Sequence, residues 1–204
     1  MSGPPFDCPV LILAAGQSRR MGRRDKLLEE IDGVPLITRL ARAALATGQP
    51  VLVTLPPQGS ARRAALQGEP VRIVTADRAA DGMAASLVAG LAALPDKADA
   101  VMILLGDLPE IGADDLRAVM TAGASAPQAI WRGATEDGRP GHPVVFPRRL
   151  FSELAGLQGD SGAQTVIQAH AGDLRLCSLP GARAVTDLDT PEAWAAWRAK
   201  QARR

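Results

Sequence analysis

VLILAAGQSRRMGRRDK, residues Val10 to Lys26, changes character at its middle. The first part, Val10 to Ala14, is a short unbroken apolar run that stops at Gly16, the pattern of a strand buried on both faces of a parallel sheet. The second part packs five basic side chains into the eight residues Arg19 to Lys26. Open α/β sheets bind ligands at the carboxyl ends of their strands, and this loop sits at such an end. Gly16 and Gly22 let the backbone come close to a ligand and adopt positive φ. Successive amides in a loop of this kind form an anion-binding nest, and Arg19, Arg20 and Lys26 add full charges around it. A triphosphate is the natural occupant.

Outward from this stretch, strands and helices alternate. Val34 to Thr47 carries Ile37, Leu40, Ala41, Ala44 and Leu45 on one helical face and stops at Gly48. Pro50 to Leu55 and Val71 to Val74 read as strands, Gly82 to Leu94 as a helix, and Ala100 to Leu105 as the most hydrophobic strand of the chain. Ile111 to Ala122 reads as a helix, Ala129 to Trp131 and Pro143 to Phe146 as shorter strands, and Arg148 to Leu154 and Ser161 to Ala169 as helices. Leu174 to Ser178 and Arg183 to Thr186 read as strands, Gly133 to Gly141 as the longest polar loop. A last helix begins at Thr190 with Pro191 in its first position. The alternation implies an α/β three-layer sandwich with a mainly parallel sheet. With no repeat and no long linker, residues 1–204 are expected to form one domain.

The bulk composition narrows the class. The 204 residues are 47% hydrophobic and 22% charged, which suits a globular protein with a real core. A net charge of +1 speaks against a nucleic-acid or acidic-membrane coat and makes the basic loop a local feature, suited to a small anion. Cys8 and Cys177 are far apart and form no CxxC motif, so free thiols and a cytoplasmic location are expected. No stretch approaches the roughly 20 apolar residues of a membrane helix, and the N-terminus lacks the basic start of a signal peptide.

The loop matches neither common phosphate motif. A P-loop places lysine directly after its second glycine, but Arg23 follows Gly22, and the dinucleotide fingerprint GxGxxG is absent. Instead, LAAGQSRRMGRRDKLL resembles the signature LAAGxSxRMGxxKLL of nucleotidyltransferases, and most closely that of the molybdenum cofactor cytidylyltransferases, the MocA-like proteins. Further segments follow in the same order: GMAASLVAG (82–90) is similar to GMSxSLxxG, GDLP (106–109) to GDxP, and GHPVVF (141–146) to GHPxxF. GDSGAQ (159–164) resembles GDxGAR, and DLDTPE (187–192) resembles DIDTPE. Three departures stand out: an extra residue before Lys26, Ala84 in place of serine, and Gln164 in place of arginine.

The resemblance implies a Rossmann-like nucleotide-binding sheet of the nucleotide-diphospho-sugar transferase type, and transfer of CMP from CTP to molybdenum-bound molybdopterin with release of pyrophosphate. The nucleophile would be a phosphate monoester, whose second pKa of about 6 leaves it ionised without a general base. The chemical task is to bring two anions together and stabilise a highly charged transition state. Lys26 is the expected phosphate-binding lysine, assisted by Arg19 and Arg20, with main-chain amides from Ala15 to Gly22 around the triphosphate. Leu13, Ala14, Ala15, Gly16, Met21, Gly22, Met83, Ser86 and Gly106 complete the expected nucleotide site. Asp107, at the end of the Ala100–Leu105 run, suits Mg2+, with Asp187, or else Asp189, as the second carboxylate. If the segment is extended, Asp187 and Asp189 face one side. His142, Asp160 and Ser161 are expected on the acceptor side. Ala14-Ala15, where guanylyl-transferring relatives usually carry Gly-Gly, favours CTP. The product would pass to an apo-oxidoreductase of the xanthine dehydrogenase type or its chaperone. GTP use, another phosphorylated acceptor, or a nucleotide-binding regulator without turnover are the alternatives.

Overall fold

The structure, a computed structural model of the chain, describes residues 6–22, 24–159 and 162–202. Strand β1 is Val10–Leu13. After the basic loop comes a small antiparallel pair, β2 (Glu30–Ile31) and β3 (Val34–Pro35), then helix α1 (Leu36–Leu45). Next follow β4 (Val51–Leu55), α2 (Ser60–Ala65), β5 (Arg72–Thr75), α3 (Met83–Ala92) and β6 (Ala100–Leu105). The second part holds α4 (Ala113–Ser125), β7 (Ile130–Ala134), β8 (Pro140–Pro147), α5 (Phe151–Ala155), α6 (Gln164–Ala169), β9 (Leu174–Ser178) and α7 (Pro191–Gln201).

Seven strands form one sheet in the order β5-β4-β1-β6-β8-β7-β9. β1 lies parallel to β4 and to β6, with Val10 opposite Val51 on one side and Met102 on the other. β8 alone runs against its neighbours, pairing antiparallel with both β6 and β7, while β7 and β9 are parallel. The sheet is therefore mostly parallel, as the alternation of elements implies. Strand side chains point alternately to its two faces. Val10 and Ile12 pack with Leu36, Leu40, Leu116 and Trp194 of α1, α4 and α7 on one side. Leu11 packs with Leu87, Leu154 and Ile167 of α3, α5 and α6 on the other.

This topology positions the site. The chain moves from β1 outward to β4 and β5, then returns to place β6 on the other side of β1. The order reverses between β1 and β6, the crevice where open α/β sheets hold ligands. Because β8 is inverted, its beginning, Pro140 to His142, lies at the same end of the sheet as the exits of β1 and β6.

The structure departs from the sequence expectations in identifiable places. Arg183–Val185 is a single 3-10 turn rather than a strand. Ala182 O accepts from the amides of Val185 and Thr186, and Arg183 reaches back to the buried Asp115 at 3.2 Å. The polar loop shrinks to residues 135–139, because Gly133 and Ala134 close β7 and Pro140 and Gly141 open β8. Helix α2, SARRAA, has no apolar stripe to announce it. Thr190 caps α7, its hydroxyl accepting from the Ala193 amide at 3.2 Å. Cys8 is buried and Cys177 half-buried, both free. Among the described residues, no helix is long and apolar enough to cross a membrane.

Candidate active site

The loop after β1 is fixed from beneath and open above. Ser18 adopts a left-handed conformation, φ 48°, and Gly22 a positive φ of 65° open to glycine. The Ser18 hydroxyl donates to Asp25 Oδ1 at 3.1 Å, and the same oxygen accepts from the Leu27 amide at 3.0 Å, starting the 3-10 turn Lys26–Leu28. Below the loop lies Arg62 of α2, 5% exposed. Its guanidinium grips Asp25 through Nε at 2.6 Å and Nη2 at 2.9 Å, while Nη1 donates to the Ala14 carbonyl at 2.6 Å. Among the described residues, the amides of Ala15, Gly16, Gln17 and Ser18 have no hydrogen-bond partner. A loop with fixed ends and free N–H groups is an anion nest in waiting.

The turn presents Lys26 to two carboxylates. Lys26 Nζ donates to Asp107 Oδ2 at 2.5 Å and to Asp189 Oδ1. Arg20 takes the other oxygen of Asp189 at 2.5 Å. Burial alone pulls the lysine pKa down, but Asp107 and Asp189 together outweigh it and hold the pKa above its usual range. Lys26 is thus a fixed positive charge at neutral pH. Asp107 follows β6 through Gly106, whose amide extends the ladder to Leu13 O at 3.0 Å. A Cβ at Gly106 would sit 3.1 Å from that same carbonyl, so the two strand exits meet closely there. Asp107 Oδ1 is buried and has no partner.

Between these groups opens a cleft of about 360 Å³. Leu13, Ala14, Ala15, Gly16, Arg19, Lys26, Gly106 and Asp107 line one wall, and Met83 and Ser86 of α3 line the other. Met83, 46% exposed, is one of few large apolar side chains left in solvent, which suits a ligand contact better than a core role. Met21 does not reach the cleft; it is 2% exposed and anchors the loop in the core. Gly22 supplies the turn, and Arg20 acts through Asp189. Asp187 and Asp189 do not face one way: Asp189 meets Lys26, Leu188 is buried between them, and Asp187 is exposed. The carboxylate brought beside Asp107 is therefore Asp189, not Asp187. Sequence reasoning passed over Ala79 and Ala80, which line the cleft without any chemical signature.

A second cavity of about 140 Å³ shares Leu13, Met83 and Leu105 with the first. His142 and Arg132 are its polar groups beside Gln164, and Ile103, Val144, Phe146 and Ile167 make it largely apolar. Burial, with the nearby Arg132 charge, pushes the His142 pKa down to about 4, and its Nδ1 is buried without a partner. The ring is neutral at pH 7. Asp160 and Ser161 lie outside the described residues.

Comparison with known proteins finds relatives along most of the chain. A profile of the MobA-like NTP transferase domain matches residues 10–174. A molybdenum cofactor guanylyltransferase from Pseudomonas paraeruginosa is 33% identical over 190 residues, covering 86% of this chain and 90% of its own length. A nicotine blue oxidoreductase from Paenarthrobacter nicotinovorans is 27% identical, over 89% of this chain and 92% of its own. The crystal structure of Rv0371c from Mycobacterium tuberculosis superimposes with a TM-score of 0.81 at 28% identity, covering 94% of this chain and 97% of that one. The same protein in complex with manganese gives a TM-score of 0.78 at 26% identity, covering 93% and 97%.

Proposed function

This chain belongs to the MobA-like NTP transferase family, and from that membership we propose that it transfers a nucleotidyl group from a nucleoside triphosphate to molybdenum-bound molybdopterin, releasing pyrophosphate. The observation that carries the reading is the meeting of Lys26, Asp107 and Asp189 beside a loop of free amides at the reversal of the sheet. The amides of Ala15 to Ser18 and the side chains of Arg19 and Lys26 receive the triphosphate. Met83 and Ser86 stand opposite, where a base would lie. Lys26 keeps its proton throughout and neutralises charge rather than carrying protons. The acceptor enters from the His142 side, its phosphate already ionised, so positioning replaces general-base catalysis.

Mg2+ belongs to this proposal. Asp107 and Asp189 are the residues that would hold it, and the unpartnered Asp107 Oδ1 is an oxygen ligand in want of a cation. Mg2+ takes the rest of its octahedral oxygen ligands from water and substrate phosphate. When bound, the ion would offset charge on the phosphates. The related Rv0371c structure with manganese supports divalent-cation binding at such a fold.

CTP is the first reading of the donor, from the resemblance carried by Ala14-Ala15, which line the cleft. GTP is the second, favoured by the guanylyltransferase that matches over nearly its full length. Delivery of the product to an apo-oxidoreductase of the xanthine dehydrogenase type, or to its chaperone, completes the proposal. The test is pyrophosphate release by the purified chain with molybdenum-bound molybdopterin, Mg2+ and either nucleotide. Release with CTP supports the first reading, release with GTP the second, and none with either from a folded protein overturns both.

A further inference from the structure

Arg132 stands on β7 with its guanidinium at the second cavity. Its Nε donates to Gly141 O at 2.7 Å and its Nη1 to Gln164 Oε1 at 3.4 Å. Both acceptors are neutral. Among the described residues, no carboxylate lies within ion-pair distance of Arg132, and its Nη2 makes no hydrogen bond. Among the described residues, the other buried or half-buried arginines are matched: Arg62 holds Asp25, Arg183 holds Asp115, and Arg39 holds Asp32. Arg132 is half-buried, and loss of water pulls its pKa below the usual value. A cation placed out of water without a counter-charge is costly unless an anion arrives to meet it.

The surroundings say what kind of anion. The cavity joins the nucleotide cleft through Leu13, Met83 and Leu105. His142 lies within electrostatic reach of both Asp107 and Arg132, so the arginine is close to the strand exits where transfer takes place. The neutral ring adds no charge of its own, and its unpartnered Nδ1 is a further polar contact. With Nε given to Gly141 and one Nη1 proton to Gln164, the Nη2 protons and the second Nη1 proton remain at the tip of the guanidinium for two oxygens of an anion, a contact that suits phosphate.

We propose that Arg132 is a binding residue for the acceptor, holding its phosphate monoester across the cleft from the triphosphate loop. The site thereby separates its cations: Lys26 and Arg19 face the donor, and Arg132 faces the acceptor. Two anions that must react are each given a counter-charge of their own. This rests on the nucleotidyl-transfer reading.

The experiment loads the full chain with a saturating, slowly hydrolysed CTP or GTP analogue and titrates inorganic phosphate by calorimetry. The wild type is expected to take up phosphate. Arg132→Met is expected to weaken that uptake at least tenfold with nucleotide affinity within twofold of wild type. Arg132→Lys, which keeps the cation, should recover part of it. Arg175→Met, which removes an exposed cation on β9, should change nothing. Melting curves confirm that each variant is folded. A nucleotide-loaded wild type that takes up no phosphate, or a folded Arg132→Met that takes up as much as wild type, overturns the assignment. A wild type that binds neither nucleotide overturns the transferase reading instead, which separates the two failures.

Discussion

Lys26 touches two carboxylates, and Arg20 balances the second of them. Lys26→Ala removes the charge that faces the phosphates, and charge-assisted bonds of about 1.5–3 kcal/mol make the expected loss roughly tenfold to hundredfold in CTP or GTP affinity. Calorimetry with either nucleotide checks it. Asp189→Asn and Asp187→Asn should part company: the first strips a partner from both Lys26 and Arg20 and should cut pyrophosphate release at least tenfold, while the second alters an exposed side chain and should leave it within twofold. Equal rates for the two variants would contradict this arrangement. Arg62→Met leaves Asp25 without its main partner, and breaking such a pair should cost about 3 kcal/mol in a urea melt. That Lys26 and Asp107 would stand at the cleft was legible in the sequence, because glycines and strand ends announce the position. The choice between Asp187 and Asp189 was not, since alternation along a strand does not apply to a segment that twists into a helix cap. Arg62 was not legible either: an arginine in a polar helix normally reads as solvated, and its partner Asp25 lies 37 residues away.

At the scale of elements, long apolar runs read true. β1 and β6 are buried on both faces and needed no more than their composition to be found. The direction of β8 has no local signature, because parallel and antiparallel pairing use the same residues. It takes its sense from the tight turn at 135–139, where the Thr135 amide donates to Arg139 O at 2.9 Å. The expected strand at 183–186 failed for a tertiary reason, the pull of Asp115 on Arg183. Gly141 measures how closely β8 and that turn approach: an added Cβ would lie 2.0 Å from Ala184 O. Backbone meets backbone there, so Gly141→Ala should lower stability by about 1–3 kcal/mol or more and displace the segment leading to Asp189. A fall in melting temperature together with weakened nucleotide binding is the expected pair of results. Trp194, 1% exposed, anchors α7 on the core, and Trp194→Ala should cost about 3–5 kcal/mol in a denaturant melt.

For the molecule as a whole, the acid limb of stability should carry the mark of His142. Its pKa is about 4 in the fold against 6.5 when free, with burial the main cause. The unfolded chain therefore binds the extra proton first as pH falls, so the contribution is present above pH 6.5 and is lost progressively down to about pH 4. The whole effect is about 3 kcal/mol at most, and melts between pH 7 and 4 should show it diminished in His142→Phe. The same view of the molecule shows its cleft closed by residues from opposite ends of the chain. Lys26 waits for Asp189, 163 residues later. At synthesis rates of about 5–20 residues per second, Lys26 is made on the order of ten seconds before Asp189. Until then Arg20 and Lys26 lack the carboxylate that pairs with both in the folded chain. The cleft is therefore completed only when the last segment of the chain docks against the first.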